Sequence, residues 1–83
     1  MASVLHDFGK RCLAEIRADE SVRIDHALFG TLKEMCAELG IGEGTSVRCR
    51  RATRSVLVLE TPSGRTVIID QDWARFVEVR SLT

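Results

Sequence analysis

The chain has 83 residues, which is enough for one domain with a modest core. Twelve basic and twelve acidic residues balance to a formal net charge of zero, so the sequence lacks the excess positive charge typical of nucleic-acid-binding domains. Aromatic residues make up 5% of the chain and none is tyrosine, which argues against a surface that stacks bases, and we expect no nucleic-acid partner.

The first patterned segment spans residues 3–17. Its apolar residues recur at helical spacing, namely Leu5, Phe8, Cys12, Leu13 and Ile16. The pattern predicts an N-terminal helix, with a loose arm followed by one short turn as the alternative. We divide the chain into an N-terminal arm or helix at 1–12 and a domain at 13–83. The apolar face of the arm either covers the domain or pairs with the same segment of a second copy, which would make a homodimer.

A strand and a helix come next in the chain. Residues 20–24 alternate apolar and polar side chains, which predicts a half-buried strand, and residues 25–26 then lead away from it. Thr31 and Glu34 have the spacing of a capping box. They predict a short helix over about 32–39.

Three glycines then alternate with larger residues in the sequence LGIGEGTSV at 39–47. Glycine permits a positive φ, so we expect Gly40 to end the helix and the stretch to turn the chain into a strand. The stretch lacks the lysine and hydroxyl of a phosphate-binding loop, and it leads from helix to strand rather than the reverse. We therefore interpret it as a structural joint.

The remainder of the chain has β patterns. Strands are predicted at 45–51, 55–60, 66–69 and 76–80. Pro62 and Gly64 occupy turn positions that predict a hairpin between the second and third of these strands, and the polar link at 70–75 has room for one helical turn. This order of elements predicts a mainly β protein, a small SH3-like β-barrel with one short helix after the first strand and an N-terminal helical arm.

The order of these elements, and the residues at their joints, resemble the FeoA family of small SH3-like proteins. The resemblance covers about 13–80 and is strongest at 39–47, where the family has a leucine, glycine, aliphatic, any residue, proline, glycine, threonine pattern. Further matching positions are the basic strand Arg48-Cys49-Arg50-Arg51, Val56 and Val58, the strand Thr66-Val67-Ile68-Ile69, and Ala74, Val77 and Val79.

The resemblance implies a function as well as a fold. FeoA proteins are associated with bacterial ferrous-iron uptake, so it implies a cytoplasmic accessory protein that contacts the cytosolic part of a FeoB-type transporter. It supplies no catalytic residue, and we expect no enzyme activity. Similar domains occur at the C-terminus of metal-dependent repressors. The alternative is therefore a free-standing regulatory or dimerisation domain.

Five side chains are the candidates for partner binding. They are Arg48, Arg50, Arg51, Arg54 and Trp73. No acidic residue interrupts 44–59, so the arginines predict a locally basic face that meets an acidic partner, or phosphates, or only solvent. The tryptophan either covers the open end of the core or anchors an interface.

Metal ligands are present in the sequence but not at the spacing of a local site. The candidates are His6, His26, Cys12, Cys36, Cys49, Asp70 and Asp72. No two of them have the close spacing of a structural zinc site, so we expect no metal site, although Fe²⁺ or another divalent ion would suit the family resemblance. We interpret the cysteines as small buried apolar side chains.

Overall fold

The computed structural model describes residues 10–82, which form one antiparallel sheet of six strands. The strands are β1 (Lys10–Cys12), β2 (Ser21–Ala27), β3 (Ser46–Ala52), β4 (Val56–Glu60), β5 (Thr66–Asp70) and β6 (Val77–Ser81). The helices are α1 (Gly30–Glu38) and α2 (Gln71–Ala74), and Leu13–Glu15 forms one 3₁₀ turn. Within the described part of the chain, neither helix has the length and apolarity needed to cross a membrane.

The strand order is β1-β6-β2-β3-β4-β5, so β1 and β5 lie at the two ends of the sheet. The 3₁₀ turn after β1 contacts both β6 and α2, and α2 contacts β4 and β5. These two short elements therefore bridge the two ends of the sheet. The fold is the mainly β, SH3-like one that the sequence predicts.

The core lies on the inner face of the sheet because each long strand alternates buried and outward side chains. The inward pairs are Val22 and Ile24, Val47 and Cys49, Leu57 and Leu59, Val67 and Ile69, and Val77 and Val79. Leu32 and Cys36, one turn apart on α1, close one side of this core. Each large side chain buried in this way contributes about 1.5–3 kcal/mol relative to exposure.

The glycine stretch at 39–47 joins α1 to β3, as predicted. Gly40 has a φ of 84° and its N–H donates to the Ala37 carbonyl, at 3.1 Å. The Ile41 N–H donates to the Cys36 carbonyl, at 2.9 Å, and both side chains are buried. This pair of hydrogen bonds is a Schellman motif, which satisfies the last carbonyls of α1 and turns the chain back to the sheet.

The predicted helix over 3–17 is wrong from residue 10 onward. Lys10–Cys12 pairs with β6 as an antiparallel strand, and Leu13–Glu15 is a single 3₁₀ turn. Pairing with β6, near the other end of the chain, outweighs the local helical spacing here. Leu13, directly after β1, is buried in the core. The sheet thus begins before residue 13, and the part of the predicted arm at 1–9 lies outside the described residues.

Two smaller expectations also differ from the structure. β2 continues through Asp25 and His26 to Ala27, where we expected the chain to leave the sheet. The helix begins at Gly30 with Phe29 as its N-cap, and no side chain caps it, so the capping box at Thr31 does not form. The remaining strands, the hairpin and the helical turn agree with the prediction to within one or two residues.

Candidate partner-binding surface

A β-bulge in β3 determines which arginines face outward. Cys49 is opposite Leu59 and Arg51 is opposite Val58, so Arg50 is an extra residue with no partner of its own. Arg48, Arg50 and Arg51 are all exposed. Simple alternation would send one of the two consecutive arginines inward, and the bulge instead places both on the outer face.

The outer face of β3, β4 and β5 continues from these arginines into apolar side chains. Arg51 is opposite Val58, and Val58 is opposite Ile68, which makes one row across three strands. Ile68 is 62% exposed, more than any other large apolar side chain in residues 10–82. We call the outward side chains Arg48, Arg50, Arg51, Val58 and Ile68 the β3–β5 outer face.

Two of the arginines on this face form ion pairs. Arg48 Nη2 lies 3.4 Å from Asp19 Oδ1, and Arg50 Nη1 lies 3.5 Å from Glu60 Oε1. Such exposed pairs contribute about 0–1 kcal/mol each and exchange readily for a better partner. Within residues 10–82, Arg51 forms no ion pair, so its charge is available to an acidic surface.

Arg54 and Trp73 lie at the same end of the barrel. The Thr53 hydroxyl accepts from the N–H groups of Ser55 and Val56, at 3.2 and 3.0 Å, which closes the β3–β4 turn that carries Arg54. Gln71 Nε2 donates to the Thr53 carbonyl, at 2.9 Å, and so attaches α2 to this turn.

Trp73 is 43% exposed, and its neighbour Ala74 enters the core instead. The expectation that the tryptophan covers the open end of the core is therefore not met. The other interpretation, an interface anchor, stays a prediction. Of the five predicted residues, three lie along β3, Arg54 lies in the turn after it, and Trp73 lies on the helix attached to that turn.

The sequence analysis missed a second group of side chains, on the outer face of β2 and β6. Asp25, His26 and Glu78 come together there, and each is half-buried. The signal for the group is weak but present: two polar residues in succession separate the inward-facing Ile24 from Ala27, which breaks strict alternation. No local sequence pattern indicates that Glu78 joins the group, because only the pairing of β2 with β6 brings it there.

The cysteines do not share a site. Cys36 and Cys49 are buried and Cys12 is half-buried, and all three are free thiols. Burial raises the pKa of Cys36 and of Cys49, so both thiols stay protonated and behave as small apolar side chains. The interpretation of these two residues from the sequence is confirmed.

Comparisons with known proteins identify the fold. No family model matches the sequence, and no curated protein matches it. Solved structures do match. The crystal structure of an iron uptake regulatory protein, FeoA, superposes with a TM-score of 0.81 and 17% identity, over 88% of this chain and 99% of that one. The chain has a FeoA-like fold.

Two further structures support the same assignment. A FeoA-like protein from Clostridium acetobutylicum superposes on the chain with a TM-score of 0.77 and 15% identity, over 90% of each chain. A manganese-dependent transcriptional repressor superposes with a TM-score of 0.80 and 18% identity, over 88% of this chain but 37% of the repressor. The FeoA-like fold therefore also occurs as one part of a larger regulatory protein.

Proposed function

We propose that this protein is a cytoplasmic FeoA-like accessory protein of bacterial ferrous-iron transport, and that it acts by binding the cytosolic part of a FeoB-type transporter. The observation that carries the proposal is the match to FeoA over 99% of that protein's length, which leaves little of FeoA without a counterpart here. Binding of this kind needs neither a catalytic residue nor a cofactor, and we propose no enzyme activity.

The β3–β5 outer face is the proposed contact surface. Ile68 offers an exposed apolar anchor on β5, the strand at one end of the sheet. Val58 extends the apolar area beside it, and Arg51 adds a positive charge at its border. An apolar centre with a charged border is the usual arrangement of a protein interface. The matching partner surface is apolar with acidic residues around it.

Calorimetric titration of the purified cytosolic domain of a FeoB-type transporter tests this proposal. We expect Ile68→Asp to weaken binding at least about tenfold, because central apolar anchors cost about 2 kcal/mol or more when lost. Arg51→Glu should weaken binding most at low salt, since a border charge acts through screened electrostatics.

The matched control is Lys33→Glu, which makes the same charge reversal on α1, away from the β3–β5 outer face. Its affinity should equal that of the wild type. If all three variants bind as the wild type does, the surface assignment is wrong. If the wild-type protein does not bind the domain at all, the transporter proposal is wrong.

The second candidate function is a regulatory or dimerisation domain, and the match to the manganese-dependent repressor favours it. In this proposal the part of the N-terminal segment that precedes β1, residues 1–9, pairs two copies, because Lys10–Cys12 already pairs with β6. Light scattering after size-exclusion chromatography gives the mass of the full chain and of a chain that begins at residue 10 and so keeps β1. A dimer that becomes a monomer on truncation supports the proposal, whereas an unchanged mass contradicts pairing through this segment.

A further inference from the structure

A β-bulge in β2 brings a histidine and two carboxylates together. Ile24 is opposite Val79 and His26 is opposite Glu78, so Asp25 is the extra residue of the bulge. Ile24 and Val79 are buried, and Asp25, His26 and Glu78 are half-buried on the outer face. Two potential ligands from β2 thus face one from β6 across a single pair of strands.

The three side chains lie near one another, and each carboxylate is beside a different nitrogen of the His26 imidazole. His26 Nδ1 lies 3.7 Å from Asp25 Oδ2, and His26 Nε2 lies 3.6 Å from Glu78 Oε1. With one donor atom from each residue, all three donors lie within 4.8 Å of one another. Metal-ligand bonds of about 2.1 Å in a tetrahedral shell separate neighbouring donors by about 3.4 Å. Because one ion binds only one nitrogen of an imidazole, the carboxylate beside the other nitrogen must rotate toward the ion, within the 4.8 Å that the three donor atoms span.

We propose that Asp25, His26 and Glu78 bind one divalent transition-metal ion. One imidazole nitrogen and two carboxylate oxygens form a mixed set that suits Zn²⁺, Fe²⁺ or Mn²⁺ better than Ca²⁺ or Mg²⁺, which prefer oxygen ligands alone. Two carboxylate ligands together neutralise the charge of a divalent ion. Three protein ligands leave at least one coordination position for water or for a donor from another molecule.

Arg80 is the main competitor of the ion. Its Nε lies 3.9 Å from Asp25 Oδ1, and Arg23 is its cross-strand partner on the same face. Arg80 pairs with one oxygen of the Asp25 carboxylate while His26 faces the other, and the nearby positive charges lower the affinity for a cation. Arg80→Gln should therefore tighten metal binding, which a structural role for the three side chains would not produce.

Cys12 is an alternative ligand, because it is the residue of β1 that lies opposite Glu78 of β6. Burial, and next the negative charge of Glu15, raise the pKa of the Cys12 thiol. A thiol that stays protonated is a poor ligand. The test must nonetheless separate a thiolate site from the proposed one.

Titration with Co²⁺, Zn²⁺ and Mn²⁺ under reducing conditions tests the site, with calorimetry for all three ions and absorbance for cobalt. We expect one bound ion per chain. Asp25→Asn, His26→Asn and Glu78→Gln should each weaken binding at least about tenfold, because even the loss of an outer partner of a ligand costs about 10–100-fold. Asp70→Asn, which removes an exposed carboxylate elsewhere, and Cys12→Ser should bind as the wild type does. Circular dichroism confirms that each variant is folded.

Several results would overturn the proposal. One is that the wild type binds no metal. Another is that the three ligand variants bind metal as tightly as the wild type does. A third is that Cys12→Ser loses binding while the cobalt-loaded wild type shows a thiolate-to-cobalt absorption band. The site lies on β2 and β6, outside the β3–β5 outer face, so this proposal does not rest on the transporter partnership. Metal binding without transporter binding, or the reverse, identifies which of the two proposals fails.

Discussion

At the scale of single residues, Gly40 determines how α1 ends. Its φ of 84° is strained for any residue with a side chain, and a Cβ would lie 3.4 Å from Arg65 Nη1. We predict that Gly40→Ala lowers the free energy of unfolding by about 1–2 kcal/mol. Gly42→Ala is the matched control, because its Cβ would meet Ala37 only at an ordinary contact distance of 3.8 Å. Urea denaturation measures both, and equal losses would contradict this account of the joint.

The buried cysteines have a measurable consequence as well. Burial raises the pKa of Cys36 and of Cys49 above the ordinary 9.0, so the unfolded chain forms thiolates at a lower pH than the native chain does. We predict that the contribution of these thiols to stability is complete below pH 9.0 and is lost as the pH rises through their native pKa.

We also predict that an aromatic disulfide reagent at pH 8 labels Cys12 before the other two cysteines.

Denaturation of the Cys36→Ala, Cys49→Ala double variant at several pH values supplies the control. Its stability should fall less between neutral and alkaline pH than that of the wild type. Labelling of all three cysteines at the rate of an unfolded peptide would contradict their burial.

At the scale of elements, the two β-bulges are the distinctive features. We predict that deletion of Arg50 preserves the fold at a cost of about 1 kcal/mol or less, because Cys49 and Arg51 then follow each other in regular register opposite Leu59 and Val58. Deletion of Arg48, two residues earlier in the same strand, should cost at least about 2 kcal/mol. It shifts the alternation and moves Val47 out of the core.

Thermal unfolding followed by circular dichroism compares the two deletions, which remove the same residue type from the same strand. A similar loss of stability in both deletions would mean that Arg50 is not the extra residue of β3.

Elements with a strong local pattern could be predicted from the sequence, and those that depend on distant pairing could not. The alternation of Val47 with Cys49 and of Leu57 with Leu59 is a local property, and it predicts strands correctly. β1 is only three residues long and exists because β6 is beside it, so no local pattern marks it. The bulges also depend on the partner strand, which explains why the extra residue at Arg50 and the cluster at His26 were not foreseen.

At the scale of the whole molecule, the sequence predicts the fold but only part of the surface. The predicted arginines lie on β3 and its turn, and Trp73 lies on the helix attached to that turn. Val58 and Ile68 complete the β3–β5 outer face only once the strand register is known. Sequence spacing identifies neither the opposite residue on another strand nor the partner that a surface binds. The transporter partnership therefore rests on the likeness to FeoA and stays a proposal.

The proposed partner of the β3–β5 outer face is the cytosolic domain of a FeoB-type transporter. Titration of the ¹⁵N-labelled protein with the unlabelled domain, followed by amide NMR spectra, tests this contact, because each backbone amide reports separately. We expect chemical-shift changes and line broadening to concentrate at Arg51, Val58 and Ile68 and to spare α1. Changes confined to α1 or to β2 and β6, or a spectrum that does not change at all, would contradict it.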